Sequence, residues 1–286
     1  MAKRKNSKKQ SQGVIYLIVL ACLALICREP IAHALQDKLP VIKERITQKA
    51  TPAITGSPLL PAPLKNVPEQ ILHRKGYITS YNREHKTPNW VAWELTPEKL
   101  IERESRTDKF LPDPDLPENQ AVTTDDYKRS GMDRGHMCPA GDNRWHWKAM
   151  QESFYMTNIC PQNHNLNRGD WKELEDACRL WTKKEGKLYI VCGPVLYRQK
   201  HRTIGRKHKV TVPEAFFKVI LSTRNGHPKA IGFIFKNLSG NHPLKNYVNS
   251  VDEVERITGI DFFPALPDDV EKKVEAMQDL NLWSFR

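Results

Sequence analysis

The sequence predicts an α+β domain with a mixed or antiparallel sheet at its core, preceded by an N-terminal hydrophobic leader. Three observations lead to this prediction: an uncharged apolar segment near the N-terminus, several short runs rich in β-branched and aromatic residues, and segments with apolar residues at helical spacing. The strand-like and helical segments come in mixed order along the chain, which is typical of α+β proteins. The 286 residues are enough for one sizeable domain and an appendage.

The leader comprises residues 1–34. Five lysines and arginines and no acid occur in the first twelve residues, and the fifteen residues 13–27 that follow carry no charge, which is the pattern of an export signal. An Ala-x-Ala cleavage site ends at Ala34, but the charged pair Arg28 and Glu29 precedes it, and an uncleaved membrane anchor fits equally well. Either alternative predicts a protein exported across the cytoplasmic membrane, which would be secreted, periplasmic or anchored in the membrane.

A spacer follows the leader. Residues 35–70 contain six prolines among small and polar residues, a composition that favours extended and poorly packed chain. We therefore expect the folded domain to comprise residues 71–286.

The first predicted elements of the domain are two strands and a short helix. Residues 75–83 and 89–95 are rich in β-branched and aromatic residues and are separated by polar turn residues, so we predict a pair of strands. Thr96, Pro97 and Glu98 then combine a capping residue, a proline at the first helical position and an early acid. This combination predicts that a short helix begins there.

The clearest helix is predicted over residues 169–184. Trp171, Leu174, Cys178 and Trp181 follow one another at helical spacing and form an apolar stripe that should pack on a core. Three further strands are predicted at residues 188–192, 215–221 and 230–235, with an Asn-Gly turn between the last two. Two closing helices, predicted at residues 251–257 and 268–277, complete the domain.

The composition constrains the partners and the redox state. Lys and Arg number 45 against 33 for Asp and Glu, and the net charge of +12 favours a polyanionic partner such as nucleic acid or an anionic membrane.

The cysteines outside the leader form no C-x-x-C pair, which argues against a structural zinc site. Disulfides and buried free thiols are equally compatible with these four positions, which are Cys138, Cys160, Cys178 and Cys192.

The segment DRGH, residues 133–136, carries the most informative chemistry. His136 can accept a proton near neutral pH, and Arg134 beside it can hold a phosphate, so the pair suits attack on a phosphodiester. A match of this length is by itself only moderately specific. Two further blocks follow at residues 158–162 and 167–175.

The three blocks together resemble the DNA/RNA non-specific endonuclease family. Its pattern D-R-G-H-x-x-P-A, N-x-x-P-Q and N-x-G-x-W-x-x-x-E is met in order by residues 133–140, 158–162 and 167–175. Weaker similarity extends from about residue 73 to 283 and includes Ser105-Arg106 and the run 212–218. The resemblance implies a ββα-metal active site and magnesium-dependent cleavage of DNA and RNA that leaves 5′-phosphates.

The resemblance also implies a role for each matched residue. His136 would deprotonate the attacking water, and Asn167 would be the direct protein ligand of Mg²⁺, with Mn²⁺ or another divalent cation as an alternative. Glu175 would hold the metal through water, and Asn158 would support the histidine. The remaining members of the set are the phosphate-binding arginines, Arg106, Arg134 and Arg179, of which Arg106 is matched through the shorter block and could be exchanged with Arg103.

Several of these residues could instead have a purely structural role. Asn167 could cap a helix, Asn158 could satisfy backbone groups in a turn, and Glu175 and Arg179 stand four apart in the order of a favourable surface pair. The basic segment 198–209 is either a solvated loop or a track for phosphates.

The sequence therefore predicts a sequence- and sugar-non-specific endonuclease. Its partners would be DNA and RNA, with a membrane added if the leader is not cleaved. The alternative is a nucleic-acid-binding or uptake protein with little turnover on the same scaffold. The preference between DNA and RNA, the biological role and the oligomeric state are not predicted.

Overall fold

The computed structural model describes residues 59–238 and 240–283. The predicted leader and most of the predicted spacer lie outside these residues. Within the described ranges no helix combines the length and the apolar character needed to cross a membrane.

The described part of the chain is an antiparallel sheet covered by helices. Its strands are β1 Gln70–His73, β2 Ile78–Asn82, β3 Thr87–Leu95, β4 Asp133–His136, β5 Ile159–Gln162, β6 Leu188–Val195, β7 Thr203–Ile204, β8 Val210–Thr211, β9 Ala215–Ser222, β10 Lys229–Lys236 and β11 Val248–Asn249. Its α-helices are α1 Trp147–Ser153, α2 His164–Arg168, α3 Asp170–Glu185, α4 Val251–Thr258 and α5 Asp268–Glu275. This confirms the predicted α+β class.

The main sheet has seven strands in the order β1-β2-β3-β6-β9-β10-β11, and each neighbouring pair is antiparallel. The central strands β6 and β9 are buried at every position, because helices cover both faces of the sheet. Two short ribbons, β4 with β5 and β7 with β8, lie outside it.

Alternate residues of the strands face two separate cores. On one face, Trp93, Ile190 and Phe216 pack against the apolar stripe of α3, which includes Trp171 and Leu174. On the other face the sheet packs against valines of α4 and α5. The sheet therefore separates α3 from the pair formed by α4 and α5.

The predicted elements agree with the structure except in two places. The helix expected at Thr96 is a single 3₁₀ turn, Pro97–Leu100, in which the Thr96 side chain makes no capping bond. The described end of the predicted spacer is not loosely packed chain: Leu59 and Leu64 pack on the core beneath α4 and α5, and the Ala62 amide donates to the Asp261 carbonyl at 2.9 Å. The apolar side chains of this segment explain the difference, because burial removes them from water.

All four cysteines of the domain are buried free thiols in the structure. Of the two alternatives left open by the sequence, the structure therefore has the one without disulfides.

Candidate active site

The DRGH segment forms β4, and it is held between β5 and α3. β4 pairs with β5 so that Gly135 lies opposite Cys160 and His136 opposite Ile159. A Cβ atom on Gly135 would lie 2.1 Å from Oε1 of Gln162, so only glycine allows the two strands to approach this closely. The Trp171 indole of α3 donates to the His136 carbonyl at 3.3 Å and fixes the end of the strand.

Two phenylalanines and two arginines surround the His136 ring. The ring centroid lies 4.7 Å from that of Phe154 and 5.4 Å from that of Phe110. The Arg106 guanidinium lies over Phe154 at 5.3 Å and the Arg134 guanidinium over Phe110 at 4.2 Å. Each arginine is therefore held beside the histidine by a cation–π contact.

This environment keeps His136 neutral. Burial first, and then the positive charges of Arg106 and Arg134, lower the pKa of His136 to about 3. Its Nε2 is enclosed and has no hydrogen-bond partner among the described residues, so Nδ1 is the nitrogen open to the adjoining cavity. A neutral imidazole with an accessible nitrogen can accept a proton.

Asn158 acts on this arrangement through the backbone. Its side-chain oxygen accepts the Cys138 amide at 2.9 Å, and its Nδ2 donates to the carbonyls of Cys138 at 2.9 Å and Ser153 at 2.8 Å. Asn158 itself is fully buried, and its side-chain hydrogen bonds to described residues all go to backbone atoms. It holds the chain that leaves β4 and thereby the position of the histidine.

Asn167 lies near the end of α2 with its amide oriented by Asp133. Nδ2 of Asn167 donates to Oδ2 of Asp133 at 2.9 Å, while Asp133 also bonds His164. No donor among the described residues bonds Oδ1 of Asn167. The amide oxygen is thus fixed in direction and free to bind a cation, and oxygen is the donor that Mg²⁺ prefers.

Glu175 lines the same cavity from α3, one turn beyond Trp171. Its carboxylate makes no hydrogen bond or ion pair to a described residue, and burial raises the pKa of Glu175 to about 7 against the lowering effect of Lys218 and Arg179. Together with the free oxygen of Asn167, it gives the cavity a pair of oxygen donors that fits a divalent cation.

Arg179 forms ion pairs with two carboxylates, and neither of them belongs to Glu175. Its guanidinium donates to Asp142 at 2.8 Å and also to Asp176. Burial lowers the pKa of Arg179, but the charges of Asp142 and Glu175 and the two hydrogen bonds outweigh this effect and raise it. Asp142 is buried and accepts the Trp93 indole at 3.0 Å. The surface pair that the spacing of Glu175 and Arg179 allowed is therefore not formed.

The cavity has a volume of about 910 Å³ and is strongly basic. Every predicted site residue lines it except Asn158, which lies behind its wall. Its charged lining consists of six basic side chains, Arg106, Lys128, Arg134, Arg168, Lys172 and Arg179, and two acids, Asp133 and Glu175. Such a surplus of positive charge attracts phosphates.

Several residues of the site were not singled out from the sequence. Phe110 and Phe154 belong to no motif, Asp133 opens the first block without a predicted role, and Asp142 lies two residues beyond that block. Lys218 is fully buried on β9, with Nζ 4.2 Å from the Trp171 ring centroid and without a hydrogen-bond partner. The signal for Lys218 is a lone lysine inside an otherwise apolar strand.

A sequence model of the DNA/RNA non-specific endonucleases matches residues 60–269. The chain belongs to this family. Among its relatives, the zebrafish mitochondrial nuclease EXOG is 36% identical over 225 residues, which are 73% of this chain and 65% of the zebrafish protein. Mitochondrial nuclease 1 of Schizosaccharomyces pombe is 35% identical over 230 residues, 73% of this chain and 71% of the yeast protein.

The fold agrees with the family. A crystal structure of EndoG in complex with its inhibitor EndoGI has a TM-score of 0.68 and 28% sequence identity, and the match covers 77% of this chain and 95% of that one. The family consists of divalent-metal-dependent nucleases that act on DNA and RNA.

The relatives correct the predicted localisation. Export across the cytoplasmic membrane, whether as a secreted, a periplasmic or an anchored protein, was the expectation from the leader. It is contradicted by the relatives from zebrafish and from S. pombe, which are named as mitochondrial nucleases.

Proposed function

We propose that this chain is a divalent-metal-dependent endonuclease that hydrolyses DNA and RNA without preference for sequence or sugar and leaves 5′-phosphate ends. One observation carries the proposal: a single basic cavity holds a neutral histidine, a free amide oxygen and a free carboxylate. These are a base, a metal ligand and a group that can orient metal-bound water, placed where phosphates are attracted.

His136 is the proposed general base. Nδ1 takes a proton from water, the water oxygen bonds to phosphorus, and the bond from phosphorus to the 3′ oxygen breaks. The phosphate therefore stays on the 5′ side, and the 3′ oxygen leaves with a proton from solvent. The lowered pKa of His136 favours loss of the accepted proton to solvent, so the ring is neutral again before the next turnover.

Asn167 and Glu175 are the proposed metal-holding residues. Asn167 would bind the ion through Oδ1, and Glu175 would accept hydrogen bonds from the waters around it. Mg²⁺ or Mn²⁺ in this place would neutralise charge on the scissile phosphate and on the leaving oxygen.

The arginines are proposed to hold the substrate. Arg134 is exposed and has no acidic partner among the described residues, so it is free to bind phosphate directly. Arg106 has only an exposed pair with Asp108 at 3.3 Å, which water and phosphate can replace. Arg179 would contribute positive charge while it remains bonded to Asp142. Recognition through phosphates is independent of base sequence.

The basic segment extends this surface. β7 and β8 form a small ribbon whose inner residues Ile204 and Val210 pack in one cluster with Tyr127 and the partly buried Met132, two residues that line the cavity. Its exposed arginines and lysines therefore continue from the rim of the cavity, and we assign them to binding the flanking nucleic acid.

Supercoiled plasmid and single-stranded RNA, each incubated with the full chain and Mg²⁺, test the proposal. Both should be degraded, and the DNA fragments should accept a kinase label only after phosphatase treatment. His136→Ala should lower cleavage by about 10²- to 10⁴-fold while binding persists, whereas His73→Ala, which alters an exposed histidine on β1, should cleave normally. Plasmid that stays intact with Mg²⁺ and with Mn²⁺ would favour the binding-protein alternative.

A further inference from the structure

Helices α4 and α5 carry an unusual group of acids on the side of the sheet opposite to α3. Val251 and Val254 of α4 and Val270 and Val274 of α5 anchor the two helices on that face. One carboxylate oxygen from each of three residues, Asp252, Glu255 and Glu275, lies within 4.8 Å of the others.

These carboxylates have no basic partner among the described residues. Glu255 only accepts the Phe262 amide at 2.7 Å, which fixes the direction of its side chain. The adjacent acid Glu253 does pair with Arg256, at 2.7 Å. Because the whole chain has a net charge of +12, the missing partner does not reflect a shortage of basic residues.

Glu275 supplies an independent observation. Its residue is only 6% exposed, and Oε1 has no contact with solvent and no hydrogen-bond donor. A buried carboxyl oxygen without a partner is strongly unfavourable, so its presence points to a bound species that satisfies it.

We propose that Asp252, Glu255 and Glu275 form a divalent-cation site that is separate from the catalytic cavity and suited to Ca²⁺. Oxygens this close together can share one Ca²⁺ at about 2.3–2.6 Å from each. Exposed Asp252 leaves room for water to complete the coordination shell. Mg²⁺ fits less well, because it demands stricter geometry and seldom binds to a cage made only of protein groups.

The ion would join α4 to α5. Asp252 and Glu255 belong to the first and Glu275 to the second, so an ion shared by all three would link the two helices, whose valines belong to one apolar cluster. A bound proton is the rival occupant, because burial and then the neighbouring carboxylates raise the pKa of Glu275 to about 9.

The test uses the full chain with Asn167→Ala, so that the proposed catalytic metal site does not contribute. After removal of metals with a chelator, titration calorimetry should show one bound Ca²⁺, and saturating Ca²⁺ should raise the midpoint of thermal unfolding by about 3 °C. Adding Glu275→Gln should abolish both effects. Adding Glu253→Gln instead, which alters an acid of α4 outside the cluster, should preserve them.

Each of the following outcomes would overturn the proposal. If Ca²⁺ neither binds to this protein nor shifts the midpoint of its thermal unfolding, the cluster holds only a proton. Undiminished binding in the Glu275→Gln protein would place the ion elsewhere. If that variant does not fold, Asp252→Asn, which alters an exposed ligand, should still lower the Ca²⁺ affinity about tenfold or more, and unchanged affinity there would equally refute the site.

Discussion

The Asn167 side chain donates to Asp133 at 2.9 Å, and this bond joins the end of α2 to the start of β4. It orients the amide so that nitrogen faces the carboxylate and oxygen faces the cavity. The first residue of the DRGH segment therefore prepares the proposed metal ligand, although it does not itself bind the ion.

Asp133→Ala should weaken Mg²⁺ binding by about 10- to 100-fold, because the amide of Asn167 is no longer held in one orientation. The measurement is the Mg²⁺ concentration that gives half-maximal cleavage. His164→Ala, which removes the other side chain bonded to Asp133, is the control and should change this concentration little. An unchanged Mg²⁺ requirement in Asp133→Ala would contradict the orienting role.

The sequence predicted which residues line the cavity better than it predicted their contacts with one another. The first and third blocks pointed to His136, Asn167 and Glu175, and the structure brings these three residues to one cavity. The spacing of Glu175 and Arg179 suggested a local pair, but Arg179 bonds instead to Asp176 on the same helix and to Asp142, which is 37 residues away and is brought near only by the fold. Local periodicity contains no information about such contacts.

The prediction of strands and helices from local patterns is limited in the same way. The long apolar strands and α3 follow from hydrophobic patterns, whereas β4 and β5 have four residues each and contain charged, proline or glycine positions. Such strands exist because of pairing with each other and packing against α3, not because of intrinsic propensity. Phe110 and Phe154 could not be assigned for a similar reason, since only the folded chain places them beside His136.

His136 should show no titration between about pH 5 and 8. Its pKa of about 3 lies below the usual value of 6.5, so the folded protein resists protonation. The resulting contribution to the free energy of unfolding is complete above the unfolded pKa of about 6.5 and is lost as the pH falls towards the folded value.

NMR titration of the imidazole in metal-free protein measures this directly, with His136→Gln used to assign the signal. Arg134→Ala should raise the pKa of His136 by removing one of the two nearby positive charges. A midpoint near the usual value in the parent protein would show that the ring is not enclosed as described.

Lys218→Met should separate stability from activity. A buried amine without a partner is unfavourable, so an apolar side chain of similar length should leave the midpoint of urea unfolding unchanged or higher. Lys218 lowers the pKa of Glu175, and its removal should shift the acidic limb of the pH–activity profile upward by about one unit.

Lys229→Met is the control for this variant. Lys229 lies on the neighbouring strand β10 and pairs with Glu185 at 2.9 Å, so its loss should leave the pH profile in place. An unchanged profile in Lys218→Met would show that its charge does not act on Glu175.

Asp142→Asn should destabilise the fold by about 3 kcal/mol, because it leaves the partly buried guanidinium of Arg179 with only one carboxylate. The free energy of urea unfolding measures the effect. Asp176, the other partner, is 46% exposed on its side chain, so Asp176→Asn should cost less than about 1 kcal/mol. Equal losses in the two variants would mean that burial of Asp142 is not the deciding factor.

The double substitution Arg206→Ser and Lys207→Ser should weaken binding of nucleic acid and make it less sensitive to salt. Each lost phosphate contact lowers the slope of log affinity against log salt by about 0.9 on duplex DNA. The matched control is Lys272→Ser with Lys273→Ser, which removes two exposed charges from α5. Equal slopes in the two double variants would exclude a special role for the β7–β8 ribbon.

The sheet also divides the molecule electrically. Residues 251–276, which contain α4 and α5, include eight acids and three basic residues, whereas the cavity beside α3 is lined by six basic side chains and two acids. These two regions on opposite sides of the sheet therefore differ in the sign of their charge. The field of a polyanionic rod would exert a torque on this charge distribution and turn the cavity towards the rod before contact, so that a larger share of random collisions becomes productive.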